Sequence, residues 1–386
     1  GLPNKHTVST QSDTIDFIKT KVPEVAINKN EIQTIIEDLA SSKFEGRLAG
    51  IEGGKKAEVY VNKYFENINN LQKYPETGDN FKQQFEHWMY YPLGPSKLEI
   101  TDSKGKIIKE FLPMDEFIPL TSLVNSELND ETKPTSLHIY KGDIKSEFSG
   151  DIVLVPESIS STQALKVERK MMNLKYETSY GYKKLKSIVK NAKEAGVAGV
   201  ILEDSSKYLG KVVTIEPLAD KTKLLEDNPI IFKTSETTFQ SLENIVNNNN
   251  RLVNMAINYK LEEDKESNNA ATSSNIIGYI EGKTDENLLI GAHIDHIGFS
   301  YNNNGEREYY VGALDNSSGT AVLMKLAKYA AEELGKPEKN IIFIGFGGEE
   351  INLKGSIHFA YDSPLFDLNK TSVINMDAIG EPLNIT

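Results

Sequence analysis

The chain contains no cysteine. That excludes disulfides, thiolate metal sites and a cysteine nucleophile, and it leaves the redox compartment unreadable. Histidine is scarce: His6, His87, His138, His293, His296 and His358 are the full set. Any transition-metal site must therefore be built from these imidazoles and from carboxylates. Long apolar runs are missing too. None approaches the ~18 residues of a membrane-spanning helix. Positive charge is also short, with 43 Lys and Arg against 56 Asp and Glu and a net charge of −13. Nucleic-acid and anionic-membrane partners demand a basic face, so the balance argues against both, whereas cationic ligands suit an acidic chain. The opening Gly1-Leu2-Pro3 shows neither an initiator methionine nor a signal peptide, as expected of a trimmed chain that has lost a targeting segment.

What is present falls into blocks, and 386 residues make two or three domains' worth of sequence. Residues 1–22 read as a polar lead-in or a first helix. Ile32, Ile35, Ile36 and Leu39 recur at helical spacing and predict a helix over 30–41, capped by Asn28 or Asn30. A glycine-punctuated turn from Phe44 to Gly50 leads to a second helix over 54–66, with Ala57, Tyr60, Val61, Tyr64 and Phe65 on its apolar stripe. Alternating segments at 97–100 and 107–111 predict a hairpin. Strand 152–155, a lysine-rich helix over 182–195 stopped by Gly196, and strand 197–202 form a βαβ-like unit. A helix over 235–247 and a strand over 252–261 follow. Residues 262–274 are polar and read as a solvated linker. Beyond it come strands 275–280 and 286–292, a helix over 318–334, and strands 340–346 and 372–376. Strands alternating with helices predict an α/β fold, with chemistry at the carboxyl ends of the strands.

Acids and imidazoles gather at those ends. His293, Asp295 and His296 follow one apolar run, Asp315 precedes Asn316-Ser317-Ser318-Gly319, Glu349 and Glu350 follow a second run, and Asp377 ends a third. Imidazole and carboxylate are good zinc ligands. Asp295 is placed to take the other ring N–H of His293 and fix its tautomer. Ser317 or Ser318 can cap the following helix, which leaves Asp315 free to bridge two cations. Glu349 and Glu350, read as strand neighbours, point to opposite faces, so one can bind metal while the other serves as general base. An isolated acid such as Asp377 at the end of a buried strand calls for a cation.

These segments, taken with Lys354-Gly355-Ser356 and with Glu45-Gly46-Arg47-Leu48-Ala49-Gly50, resemble the M28 family of zinc aminopeptidases. The stretch from Gly150 to Leu202 is similar to the protease-associated (PA) domain often inserted in that family. The resemblance implies a mixed-sheet, zinc-exopeptidase α/β domain with an α+β insertion: residues 1–95 and 266–386 form the peptidase part and 96–265 the insertion. It implies two zinc ions, with His293 and Asp377 on one, Glu350 on the other and Asp315 bridging. Glu349 is implied as general base and Asp295 as the residue that orients His293, while His296 and His358 are left structural. The family's second-metal histidine lies downstream of the Asn-Met-Asp segment, and no histidine follows Asp377 here. A C-terminally shortened domain with an incomplete second site is therefore expected, weakly active or inactive on its own and open to a complementing C-terminal segment. Peptides are the expected substrates, and a secreted or cell-surface location is implied by the resemblance. A related di-zinc carboxypeptidase or dipeptidase, or a non-catalytic protein with a partial metal site, are the alternatives.

Overall fold

The strands of this protein alternate. In Asn269–Ile280, Ile276 faces one apolar cluster and Ile277 another; in Asn340–Phe346, Ile341 and Phe343 join the first cluster while Ile342 and Ile344 join the second. Period-2 alternation with both faces apolar builds a sheet covered on both sides. The computed structural model describes residues 28–78, 80–92, 94–113, 115–119, 129–156, 180–204, 217–218, 229–264, 269–302 and 304–380. The lead-in at 1–22 lies outside them.

Six α-helices lie among the described residues: α1 (Lys29–Leu39), α2 (Glu52–Glu66), α3 (Tyr180–Glu194), α4 (Glu236–Glu243), α5 (Gly319–Glu332) and α6 (Lys354–Asp362). The first starts where expected, with the Asn28 side chain accepting from the Asn30 amide at 3.0 Å. The main strands are β1 (Lys82–Pro92), β2 (Lys97–Asp102), β3 (Ile107–Glu110), β4 (Phe117–Pro119), β5 (Leu137–Ile139), β6 (Ile152–Val155), β7 (Gly199–Asp204), β8 (Ile230–Ser235), β9 (Arg251–Asp264), β10 (Asn269–Ile280), β11 (Asn287–His293), β12 (Phe299–Tyr301), β13 (Arg307–Tyr309), β14 (Asn340–Phe346) and β15 (Thr371–Asn375).

The large sheet runs β15-β11-β14-β10-β1-β9-β2-β3. It is mixed: β11 pairs in parallel with β14 and β15, and β10 pairs antiparallel with β14 and β1. Helices α1, α2 and α5 cover one face through Leu39, Val61, Phe65, Leu323 and Ala327, and Phe359 of α6 packs on the other. The five-stranded sheet runs β4-β8-β7-β6-β5. One face packs on β2 and β9 through Leu154, Phe232 and Val253, and the other takes α3. The βαβ unit β6-α3-β7 is parallel, as its spacing predicts. Among the described residues no helix is long and apolar enough to cross a membrane.

The linker reading of 262–274 is overturned at both ends, where residues 262–264 lie in β9 and 269–274 in β10 and Glu263 pairs with Ala270, while 265–268 lie outside the described residues. Ser273, Ser274 and Asn275 are buried and bonded to other chain segments. Ser273 Oγ meets His87 Nε2 at 2.8 Å, the Ser274 amide donates to Glu58 at 3.0 Å, and Asn275 Nδ2 donates to Gln83 and to the Gly355 carbonyl, each at 2.9 Å. Buried polar groups are tolerated when paired in this way.

Burial pushes the Glu58 carboxyl up to about 7, against an ordinary value of 4.5. A raised carboxyl contributes stability that is complete below the unfolded-state value and lost as pH rises through the folded one. Between about pH 4.5 and 7 stability therefore falls, by up to about 3 kcal/mol. Glu58→Gln is expected to melt above the wild type at pH 8 and level with it at pH 4. Equal melting temperatures at pH 8 would contradict this.

Candidate metal centre

Three neighbouring strand ends and the turn before α5 supply the centre: the end of β11, the turn after β14, the chain just past β15 and the segment Ala313–Ser318. His293 closes β11, and its carbonyl accepts from Thr320 Oγ1 at 2.7 Å. Its ring is buried. Nε2 stands 3.0 Å from Asp315 Oδ1, 3.5 Å from Asp377 Oδ1 and 3.9 Å from Glu349 Oε2. Burial pulls this imidazole toward neutrality, but Asp295, Asp315 and Asp377 outweigh it and raise its proton affinity. In turn His293 holds Asp315 below the usual carboxylate range.

The orienting contact on His293 differs in its atom from expectation. Nδ1 lies 3.0 Å from the main-chain carbonyl of Asp295 and 3.8 Å from its carboxylate. The buried carboxylate faces the acid turn instead: Oδ1 accepts the Glu349 amide at 3.0 Å and Oδ2 the Glu350 amide at 3.1 Å. Glu349 and Glu350 thus sit on a turn rather than on a strand. Strand alternation does not apply to them, and both reach the cluster. Asp295→Asn keeps the volume but loses one of the two acceptors. It is expected to weaken zinc binding by about 10–100-fold in a calorimetric titration; wild-type affinity would count against this positioning.

Asp315 lies in a wide turn entered through Gly312, whose φ of 57° suits glycine. Ser318 stands at the N-cap of α5, but its side chain makes no capping bond. Asn316 Oδ1 accepts the Gly319 amide at 3.0 Å and the Ala378 amide at 3.2 Å, while its Nδ2 donates to the Met376 carbonyl at 2.9 Å. One amide side chain therefore ties the Asp315 turn to α5 and to the Asp377 segment. Sequence reading gave Asn316 no role; its placement just after Asp315 was the available signal.

Three donor sets result, with ligating atoms within 4.8 Å of one another: His293, Asp315 and Asp377; His296, Asp315 and Glu350; His293, Glu349 and Glu350. Asp315 belongs to two of them and has one oxygen for each. His296, expected to be structural, meets Glu350 Oε1 through Nδ1 at 2.8 Å. The other described histidines pair elsewhere: His87 with Ser273, His138 with Asp151 and His358 with Asp362. The nitrogen and oxygen donors suit zinc, and their crowding of carboxylates around one protonated imidazole suits a divalent cation in place of the proton. Glu349 has the opposite shift to Asp315. Burial, together with Asp295, Glu350 and Asp377, pushes it up to about 7.

A comparison with known proteins matches the part of the chain that carries these groups. Residues 275–385 match peptidase family M28. Within the M28 match fall His293, Asp315, Glu349, Glu350 and Asp377. Aminopeptidase YwaD of Bacillus subtilis is 34% identical over 113 residues, 28% of this chain and 22% of that protein. The similarity thus spans about a fifth of that relative's length. The fold carries further. The solved aminopeptidase from Aneurinibacillus sp. strain AM-1 aligns over 92% of this chain and 71% of its own, with a TM-score of 0.56 and 18% identity. BSAP, a zinc aminopeptidase from Bacillus subtilis, aligns over 93% and 71%, with a TM-score of 0.51 and 20% identity. The mixed α/β architecture is that of these solved proteins.

Proposed function

We propose that this chain is a zinc-dependent aminopeptidase that removes residues from the amino terminus of peptides. The observation that carries the reading is the position of Asp315, shared between the His293–Asp377 pair and the His296–Glu350 pair. His293, Asp315 and Asp377 would hold one ion, and Asp315 and Glu350 the second, with His296 steadying the Glu350 carboxylate. Bound zinc supplies Lewis acidity, polarising the scissile carbonyl and acidifying a water.

The protein's own groups do the rest. Glu349, with a proton affinity near neutrality, takes the proton of the attacking water and passes it to the leaving amine. Asp295 holds the Glu349 and Glu350 amides and so fixes the turn from which the base reaches the centre. The surrounding carboxylates favour a protonated substrate amine. The five-stranded module within 96–265 is proposed as a PA-like insertion that restricts the centre to peptides.

Two peptides test the reading, one blocked at its amino end and one at its carboxyl end. Zinc-dependent cleavage of the carboxyl-blocked peptide alone is expected. Cleavage of only the amino-blocked peptide would make the protein a carboxypeptidase.

A further inference from the structure

Among the described residues the largest fully buried side chain is that of Arg47. Its guanidinium spreads over four main-chain carbonyls. Nε donates to Ile294 at 2.9 Å, Nη1 to Leu39 and to Val311 at 2.7 Å each, and Nη2 to Gly312 at 2.9 Å. Ile294 follows His293, and Val311 and Gly312 lead into the Asp315 turn. Leu39 ends α1. The main chain of the same segment is fastened to the same place. The Arg47 carbonyl accepts the His296 amide at 3.1 Å, and the Gly46 carbonyl accepts the Gly298 amide at 2.9 Å.

Holding the guanidinium there requires an unusual backbone. Glu45, Gly46 and Arg47 have φ of 49°, 73° and 51°. A side chain at Gly46 would also collide, because its Cβ would stand 1.8 Å from the Gly298 carbonyl oxygen. Left-handed backbone at non-glycine residues is unfavourable and persists where surrounding contacts over-determine it. Burial lowers the guanidinium to about 10, opposed by Asp295, Asp315 and Glu350, so it remains charged at neutral pH.

We propose that Arg47 is a positioning residue of the metal centre. It clamps the chain just past His293 and just ahead of Asp315, so that both donors are set at their separation before a cation arrives. This rests on the metal-centre reading. Charge and clamp make opposite predictions. A buried cation repels zinc, so loss of charge alone would tighten zinc binding, whereas loss of the clamp loosens it. Lysine keeps the charge but offers a compact ammonium that cannot fan out over four carbonyls.

Zinc affinity is to be measured by competition with a chromophoric chelator for wild type, Arg47→Met, Arg47→Lys and a core control, Leu154→Ala, in the five-stranded sheet. Circular dichroism and a thermal melt establish that each chain folds, and Arg47→Lys carries the test if the methionine variant does not. The expected result is a zinc dissociation constant raised about 10–100-fold in both Arg47 variants, the size typical of losing an outer partner. The Leu154→Ala control is expected to bind as wild type does. The visible spectrum of the cobalt(II)-loaded chains should change in the Arg47 variants alone. Wild-type or tighter zinc binding by Arg47→Met, or full recovery by Arg47→Lys, overturns the clamp. Absence of zinc binding by the wild type is a separate outcome, which overturns the metal-centre reading and the clamp with it.

Discussion

Glu349→Ala is expected to lower turnover of an unblocked peptide by about 10²–10⁴-fold, the usual weight of a positioned general base, while zinc is still bound. The argument rests on geometry first. Glu349 Oε2 lies 3.9 Å from His293 Nε2, within one ligand's breadth of the His293 donor set but farther out than Asp315 or Asp377. Its amide is anchored on Asp295, so truncating the side chain leaves the turn in place. Its proton affinity, near 7 before any cation binds, is that of a base able to accept and release a proton close to neutrality. A bound cation draws that value down, so the acidic limb of the rate profile should fall below pH 7. Steady-state rates for wild type and variant at matched zinc content check this. Turnover within two-fold of wild type would remove Glu349 from the mechanism.

The second large effect concerns the metal itself. His293→Ala takes the imidazole from the set that also contains Asp315 and Asp377. What remains is a pair of carboxylates with a third, Glu349, nearby, a better match for a hard cation than for zinc. Zinc affinity should fall by more than the ~10–100-fold cost of losing an outer partner. Without zinc the variant also loses the protonated ring that holds these acids together, so its melting temperature with a chelator present should drop as well. Chelator competition and paired melts with and without zinc give both numbers. Unchanged affinity would move the centre away from His293.

The features legible in the sequence are those carried by local pattern. The α5 stripe, the β14 run and the acids at strand ends could be read because periodicity and burial agree there. The 262–274 stretch misled because Ser273 and Ser274 are satisfied by partners far along the chain, His87 and Glu58, which no local window contains. The same limit hid Asn316 and Arg47. Their work is hydrogen bonding to carbonyls and amides of remote segments, and side-chain type alone does not announce it. Asp295 shows the limit at the scale of single atoms: its residue was placed correctly beside His293, yet its carbonyl faces the ring while its carboxylate faces the acid turn.

The strand β9 has a mechanical consequence. Its first half pairs with β2 and contributes Val253 and Met255 to the core under the five-stranded sheet. Its second half pairs with β1 and then with β10, the strand that carries Asn275 beside the acid turn. Strand β9 therefore runs as one continuous hydrogen-bonded ribbon from the core under the five-stranded sheet to the strand beside the acid turn. A hydrogen-bonded ribbon of this kind is stiff to in-plane bending and comparatively soft to twist.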